Sequence, residues 1–207
     1  IERIRLGSLE PDHITDEVIG RLSKMSKFCP QFHLSLQSGC NSVLKRMNRH
    51  YTAEEYYGLC EKLKKAFPGL SLTTDIIVGF PGETEEMFNE TVEYAKKIRF
   101  MKVHVFPYSP REGTPAANFP DQITSGVKAT RCRALQSECD RIRAEILASY
   151  NGKILPVLFE TPKGGIQHGY TENYIPVKVP SLTPLTGRIK NVKIKSADTE
   201  GCIGELV

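Results

Sequence analysis

Asp75 stands in the middle of an otherwise largely apolar run, Leu72-Thr73-Thr74-Asp75-Ile76-Ile77-Val78, which ends in the turn Gly79-Phe80-Pro81-Gly82 and continues into Glu83-Thr84. A carboxylate inside such a run is costly unless something pairs with it. At a barrel mouth beneath a glycine turn, that something is usually a ligand. Two other runs carry polar groups in step with it. Phe32, Leu34 and Leu36 alternate with His33, Ser35 and Gln37, and Val103 and Val105 alternate with His104 and Phe106, with Tyr108 continuing beyond. Successive strand residues point to opposite sides, so each run offers one apolar face to helices and one semi-polar face to a lumen. A lumen serving stability alone would be filled with Val, Ile and Leu. This one suits a ligand with hydroxyls, a charge and a flat apolar part. Glu10, followed by Pro11, ends an earlier run, and Arg49 lies one helical stretch after Gln37. The acids could accept from ribose-like hydroxyls and Arg49 could clamp a carboxylate. Rim ion pairing explains Glu10 or Arg49 alone equally well, but the whole set pointing one way favours a ligand. Gly79 would let backbone approach a flat ring closely.

Other chemistries fit less well. The Gly79–Thr84 turn lacks the Gly-Lys-Ser/Thr ending of a triphosphate cradle. No histidine spacing suggests zinc, and no nucleophile–base pair has the context of a known hydrolase. The six cysteines, at 29, 40, 60, 132, 139 and 202, form no Cys-x-x-Cys pair or close cluster. Cys60, Cys132 and Cys139 fall on apolar helix stripes, where cysteine acts as a small hydrophobe. With 40% hydrophobic and 25% charged residues the composition is that of a soluble globular protein. No apolar run approaches membrane-spanning length. Disulfides are not expected, and a cytoplasmic location with no membrane contact fits best. A net charge of +4 permits a polyanionic partner without demanding one.

The elements that must position these residues follow from periodicity. Strand-like runs at Ile4–Leu6, Phe32–Gln37, Ser71–Val78 and Lys102–Pro107 alternate with helix patterns starting near Thr15, Thr52 and Thr84. Thr52 with Glu55 reads as a capping box. That rhythm means an α/β fold with a parallel sheet and right-handed crossovers. Four strands are too few for a closed barrel, so residues 1–151 are expected to form part of one. A long amphipathic helix over 124–150 closes this part, with Lys128, Arg131, Arg133, Arg141 and Arg143 read as its solvated side.

Residues 152–207 switch to short alternating runs, Ile154–Glu160, Gly169–Val179, Gly187–Lys195 and Cys202–Val207, which suggest a small all-β barrel. A bulge near Lys190-Asn191 would reconcile Ile189 with Val192 and Ile194. Arg188, Lys193 and Lys195 would then share the outer surface. With Lys190, and with Tyr170 and Tyr174 available for stacking, they are the candidate RNA-binding residues.

Several motifs together resemble the radical S-adenosylmethionine superfamily, and within it the tRNA methylthiotransferases. These are Leu9-Glu10-Pro11, the stretch His33 to Gly39, Leu44-Lys45-Arg46-Met47-Asn48-Arg49, Asp75 to Thr84, and Phe106 to Ala116. The tail resembles a TRAM domain, an RNA-binding β-barrel. Ser8-Leu9-Glu10-Pro11, His104 to Ser109 and Gly169 to Tyr174 look most like the branch acting on N6-threonylcarbamoyladenosine beside the tRNA anticodon. The branches acting on isopentenyladenosine or on a ribosomal protein are the alternatives, as is an RNA-binding module on an α/β scaffold. The resemblance implies S-adenosylmethionine split reductively by a [4Fe–4S] cluster, hydrogen abstraction from the adenine, and a second cluster concerned with sulfur. It puts Gln37, Arg49 and Asp75 at cofactor-contacting positions, with Arg49 on the methionine carboxylate and Asp75 on the ribose. Glu10, Ser35 and Gly79 belong to the same pocket, and Phe106 and Tyr108 flank the adenine.

Both clusters need cysteine thiolates, and the family's Cys-x-x-x-Cys-x-x-Cys motif is expected upstream of Ile4–Leu6. The chain opens without methionine on a strand-like run and reads as a piece of a longer protein. Taken alone it is expected to be inactive, with no catalytic residue and no metal ligand of its own. Its first strand would then present an unpaired edge through which the piece could dimerise.

Overall fold

The computed structural model describes residues 1–207. Strands β1 (Ser8–Leu9), β2 (Gln31–Leu34), β3 (Ser71–Val78) and β4 (Lys102–Pro107) lie side by side in that order, all parallel. Between them run α1 (Asp16–Leu22), α2 (Asn41–Arg46), α3 (Ala53–Ala66) and α4 (Glu85–Ile98). Threonine side chains cap α1, α3 and α4, and Thr52 with Glu55 completes the reciprocal capping box.

The helices cover one face of the sheet. Phe32, Leu34, Ile76, Val78 and Val103 meet Tyr56, Cys60, Leu63, Phe88 and Ala95 there in a core of 22 buried residues. Each fully buried Leu or Phe contributes roughly 1.5–3 kcal/mol. The opposite face carries His33, Asp75, His104 and Phe106, and on β4 it is open to solvent.

Two strands differ from their expected spans. Ile4 makes only an isolated bridge, to Phe28, and regular pairing begins at Ser8–Leu9. The reason lies in its neighbours. Arg3 donates to the carbonyls of Tyr170 and Pro156 at 2.9 Å each, and Arg5 lies over the Tyr174 ring at 3.5 Å, so this segment is drawn toward the second domain. β2 stops at Leu34 rather than Gln37, because a buried threonine interrupts its ladder, as described below.

The long helix α5 (Ser125–Ala148) ties the two parts together. Leu135 and Cys139 sit in the first core and Leu147 in the second. Its basic residues are not uniformly solvated as expected: Arg131 is 6% exposed, Lys128 donates to the Tyr108 carbonyl at 2.9 Å, and Arg143 donates to the Glu200 carbonyl at 3.0 Å. Arg133 and Arg141 do face solvent. No helix is long and apolar enough to cross a membrane.

After Gly152, which takes the left-handed conformation (φ 80°), five strands close into a barrel in the order β5-β6-β7-β9-β8. They are β5 (Ile154–Phe159), β6 (Ile166–Tyr170), β7 (Pro176–Pro180), β8 (Ile189–Ala197) and β9 (Cys202–Leu206). The expected single run Gly169–Val179 is two strands. The Thr171 hydroxyl accepts from Ile175 N–H at 2.9 Å and Tyr174 adopts φ 62°, which turns the chain between them. The irregularity in β8 falls between Ile194 and Ser196 rather than at Lys190-Asn191. Ile189 pairs in regular register with Leu158, both half-buried on the outer side, so no slip is needed there.

Candidate functional site

The site is built on a break in the β2–β3 ladder. Thr74 is fully buried, and its hydroxyl donates to the Leu34 carbonyl at 2.6 Å while accepting from Leu36 N–H at 2.9 Å. The Tyr56 hydroxyl also donates to Leu34 C=O at 2.9 Å, and the Tyr51 hydroxyl donates to the carbonyls of Ser35 and Leu36 at 2.8 and 3.1 Å. Side chains thus supply hydrogen bonds that the neighbouring strand does not. Gln37 can then adopt φ 68°, a conformation rare without glycine and costing about 1 kcal/mol or more. Pairing resumes through Gln37 N–H to Asp75 C=O and Ile77 N–H to Gln37 C=O, both 2.9 Å.

A cleft of about 630 Å³ opens at the C-terminal ends of the strands, within the ~300–1,000 Å³ usual for small-molecule sites. Gln37, Arg49, Asp75, Phe106 and Tyr108 all line it, joined by Arg46 and Arg111. Phe106 is half exposed at the lip. Phe80 and Tyr108 pack edge to face at 5.0 Å on the apolar side, backed by Cys40 and Val43. The Tyr108 hydroxyl is buried with no hydrogen-bond partner.

Asp75 is not alone. His33 Nε2 lies 3.2 Å from Asp75 Oδ2, and His33 Nδ1 lies 3.0 Å from Thr73 Oγ1. Burial, with Lys102 nearby, lowers the pKa of His104, the register partner of Asp75 on β4. Arg49 donates to both Glu10 oxygens at 2.9 and 3.1 Å, with the two side chains 28% and 45% exposed. Glu10 therefore reaches the site through Arg49 and does not line the cleft.

Two sequence candidates stand elsewhere. Ser35 is buried behind the cleft, its N–H on the Leu9 carbonyl and its own carbonyl on Tyr51. Gly79 (φ 70°) turns its α-carbon toward α5, where a Cβ would run into Lys128 Cγ. The glycine is needed for helix approach, not for an open path to a ligand. Its N–H donates to Glu83 Oε1 at 2.8 Å, and Glu83 is paired at 2.8 Å with buried Arg131. Burial raises the Glu83 carboxyl above its usual range despite that partner. Arg46 locks the other side of the same turn, donating to the Pro81 carbonyl and to both Asp121 oxygens.

The barrel candidates divide. Arg188, Lys190 and Lys193 are exposed, whereas Lys195 is paired with Glu205 at 2.6 Å. Tyr170 and Tyr174 stack on each other at 4.2 Å, with Arg5 over the other face of Tyr174, at the junction with the α/β part. They are far in the barrel order from β8, since β6 and β7 neighbour β5 and β9 instead.

No three His, Cys, Asp or Glu side chains converge as a metal site. Burial pushes the thiols of Cys60 and Cys139 up to about 12 and that of Cys202 up to about 11, against the thiolate form a cluster requires. The residues present do not fit an iron–sulfur centre.

Sequence reasoning missed His33 as the partner of Asp75, although both stood on one face of neighbouring strands. It also missed Thr74, Arg46 and the Glu83–Arg131 pair. A threonine on the apolar face of β3 and an acid inside a glycine turn were the available signals.

Residues 3–95 match the Radical SAM superfamily model. The chain is 44% identical over 202 residues to the Threonylcarbamoyladenosine tRNA methylthiotransferase MtaB of Bacillus subtilis, covering 95% of this chain and 45% of the relative. It is 41% identical over 215 residues to a tRNA-2-methylthio-N(6)-dimethylallyladenosine synthase of Clostridium botulinum, covering 100% of this chain and 47% of that protein. The chain thus spans about half the length of the curated relatives it matches. Among solved structures, the coproporphyrinogen III oxidase HemN of Escherichia coli, a radical SAM enzyme, superposes with TM-score 0.57 at 19% identity, over 68% of this chain and 32% of the other, a likeness of fold.

Proposed function

The chain is a relative of the radical SAM tRNA methylthiotransferases, and from that premise we propose that its cleft holds S-adenosylmethionine for methylthiolation of N6-threonylcarbamoyladenosine in tRNA. The observation that carries this reading is the convergence of Gln37, Arg49, Asp75, Phe106 and Tyr108 on one cleft at the strand ends. The donor set suits that ligand. Asp75 keeps one carboxylate oxygen free for ribose hydroxyls, and Gln37 stands beside it to hydrogen-bond the same sugar. Arg49, only lightly engaged by exposed Glu10, can clamp a carboxylate bidentately. Phe106 offers a flat apolar surface to adenine, and the Tyr108 ring lines the same cleft. Together these side chains bind and orient the cofactor and keep water from the adenine side.

When bound, S-adenosylmethionine supplies hydrogen-atom abstraction after reductive cleavage. The cysteine thiolates of both [4Fe–4S] clusters lie outside this chain in this reading, so the 207 residues alone transfer no methylthio group. The terminal barrel, read as TRAM-like, holds tRNA through Arg188, Lys190 and Lys193, in the cytoplasm where tRNA is modified.

The 44% identity to the threonylcarbamoyladenosine enzyme favours that nucleoside, while 41% identity to a dimethylallyladenosine synthase supports the second reading. Nucleoside mass spectrometry of tRNA from cells lacking the gene separates them. Loss of the methylthio group from threonylcarbamoyladenosine is the expected result; loss confined to the isopentenyl nucleoside overturns it, as does a tRNA nucleoside profile unchanged from wild type, the outcome an enzyme acting on a ribosomal protein would give.

A further inference from the structure

His33 lies outside the large cleft yet touches the acid at its floor. With Gln31 and Thr73 it lines a separate groove of about 360 Å³ between the sheet and the terminal barrel, whereas Asp75 lines the cleft. A row of hydrogen bonds crosses from one to the other. Gln31 Nε2 lies 3.3 Å from Thr73 Oγ1, Thr73 Oγ1 lies 3.0 Å from His33 Nδ1, and His33 Nε2 lies 3.2 Å from Asp75 Oδ2.

The chemistry of these groups gives the row one direction. The Asp75 carboxylate only accepts, so the ring proton facing it sits on His33 Nε2. In the tautomer with its single proton there, Nδ1 accepts from the Thr73 hydroxyl, which accepts in turn from the Gln31 amide. Gln31 is 6% exposed and the His33 side chain 16%, so the row is largely shielded from water. Oδ2 of Asp75 is thereby occupied, and no protein group donates to Oδ1. His104, opposite Asp75 in register, makes no hydrogen bond to it.

We propose that His33 is a positioning residue, whose Nε2–H fixes the Asp75 carboxylate so that Oδ1 accepts from a ribose hydroxyl of the adenosyl group. This deepens the S-adenosylmethionine reading of the cleft and rests on it. The metal-ligand counterpart is familiar, in that a second group orienting the first sets its geometry and strength. Here the oriented group is a carboxylate poised for sugar hydroxyls.

Titration calorimetry of the full-length protein with S-adenosylhomocysteine, and with its analogue lacking both ribose hydroxyls, tests the assignment. Gln in place of histidine returns a donor near the Nε2 position, whereas Asn keeps only the Thr73 side. His33→Gln is expected to bind S-adenosylhomocysteine within about twofold of wild type, and His33→Asn about tenfold more weakly, the scale of one charge-assisted hydrogen bond. The Asn variant should lose nothing toward the hydroxyl-free analogue and should melt at the same temperature as the Gln variant. Added to Asp75→Asn, it should cost no further affinity. Equal binding by His33→Asn and wild type overturns the inference, as does an equal loss toward both ligands. Wild-type protein that binds neither ligand overturns the reading of the cleft, and the inference with it.

Discussion

Tyr108 carries a hydroxyl that folding has taken out of water without giving it a partner. An unmade hydrogen bond at a buried group costs about 1–3 kcal/mol. In the absence of ligand, Tyr108→Phe is therefore expected to leave the protein unchanged or up to about 1 kcal/mol more stable in urea denaturation. A marked loss of stability would mean that the hydroxyl is bonded after all. Arg49 argues in the opposite sense. Its pair with Glu10 is partly exposed, and such pairs are worth about 0–1 kcal/mol. Arg49→Met should therefore melt within a few degrees of wild type while binding S-adenosylmethionine at least tenfold more weakly. Glu10→Gln should leave that affinity intact or raise it, because it frees the guanidinium. If both substitutions weaken binding alike, Arg49 and Glu10 act as one structural unit and the carboxylate clamp is wrong.

Two elements hold the cleft in shape, and each rests on a buried polar group. The first is the broken β2–β3 ladder. Thr74→Val removes the hydroxyl that bridges Leu34 C=O and Leu36 N–H, so two buried backbone groups lose a partner. A loss of about 2–3 kcal/mol is expected in chemical denaturation, with the Gln37 turn loosened in hydrogen exchange. The second is the contact of α5 with the Gly79–Gly82 turn through Arg131 and Glu83. Arg131→Met strands a buried carboxylate and should cost about 3–5 kcal/mol. Burial already raises the Glu83 carboxyl. The folded chain then holds that proton more tightly than the unfolded chain, so this group's contribution is present at low pH and is lost as pH rises through the folded value. Arg131→Met should accordingly regain stability on acidification from about pH 7 to pH 5, measured by urea midpoints. A midpoint that falls steadily over that range would contradict the burial argument.

These elements also show what the sequence made legible. Ser71–Val78 and Lys102–Pro107 are strands at the expected residues, and Thr52 caps its helix as its spacing to Glu55 implies. Period-two alternation sorted Gln37, Asp75 and Phe106 onto one face before any coordinates. Thr74 was not legible, because alternation assigns a face but not a hydrogen-bond partner across strands. Arg131 was not legible either. A cation on an amphipathic helix is usually solvated, and its burial depends on Glu83, 48 positions away. Ser35 and Gly79 show the same limit: both lie close to cleft residues in sequence, but the Gln37 turn and the approach of Lys128 redirect them.

At the scale of the whole molecule, the sheet and the barrel are joined by α5 and by a polar seam. Arg3 reaches the Tyr170 and Pro156 carbonyls, and Asn173 donates to Gly69 C=O and lies within 2.7 Å of the Tyr150 hydroxyl. Arg5 on the stacked Tyr174 and Tyr170 adds a cation–π contact. Replacing Arg3 and Asn173 by Ala together should uncouple the two parts, turning one calorimetric unfolding transition into two. A single unshifted transition would show that α5 alone couples them. Under the proposed function the seam would set the distance between a barrel proposed to hold tRNA and the cleft proposed to act on it. That assembly has a purpose only if the cleft takes the adenosyl cofactor. A crystal structure of the protein soaked with S-adenosylmethionine tests this most directly. The expected density has the ribose within hydrogen-bond distance of Asp75 and Gln37, adenine against Phe106 and the methionine carboxylate on Arg49. Cofactor bound elsewhere, or with its ribose turned away from Asp75, would contradict it.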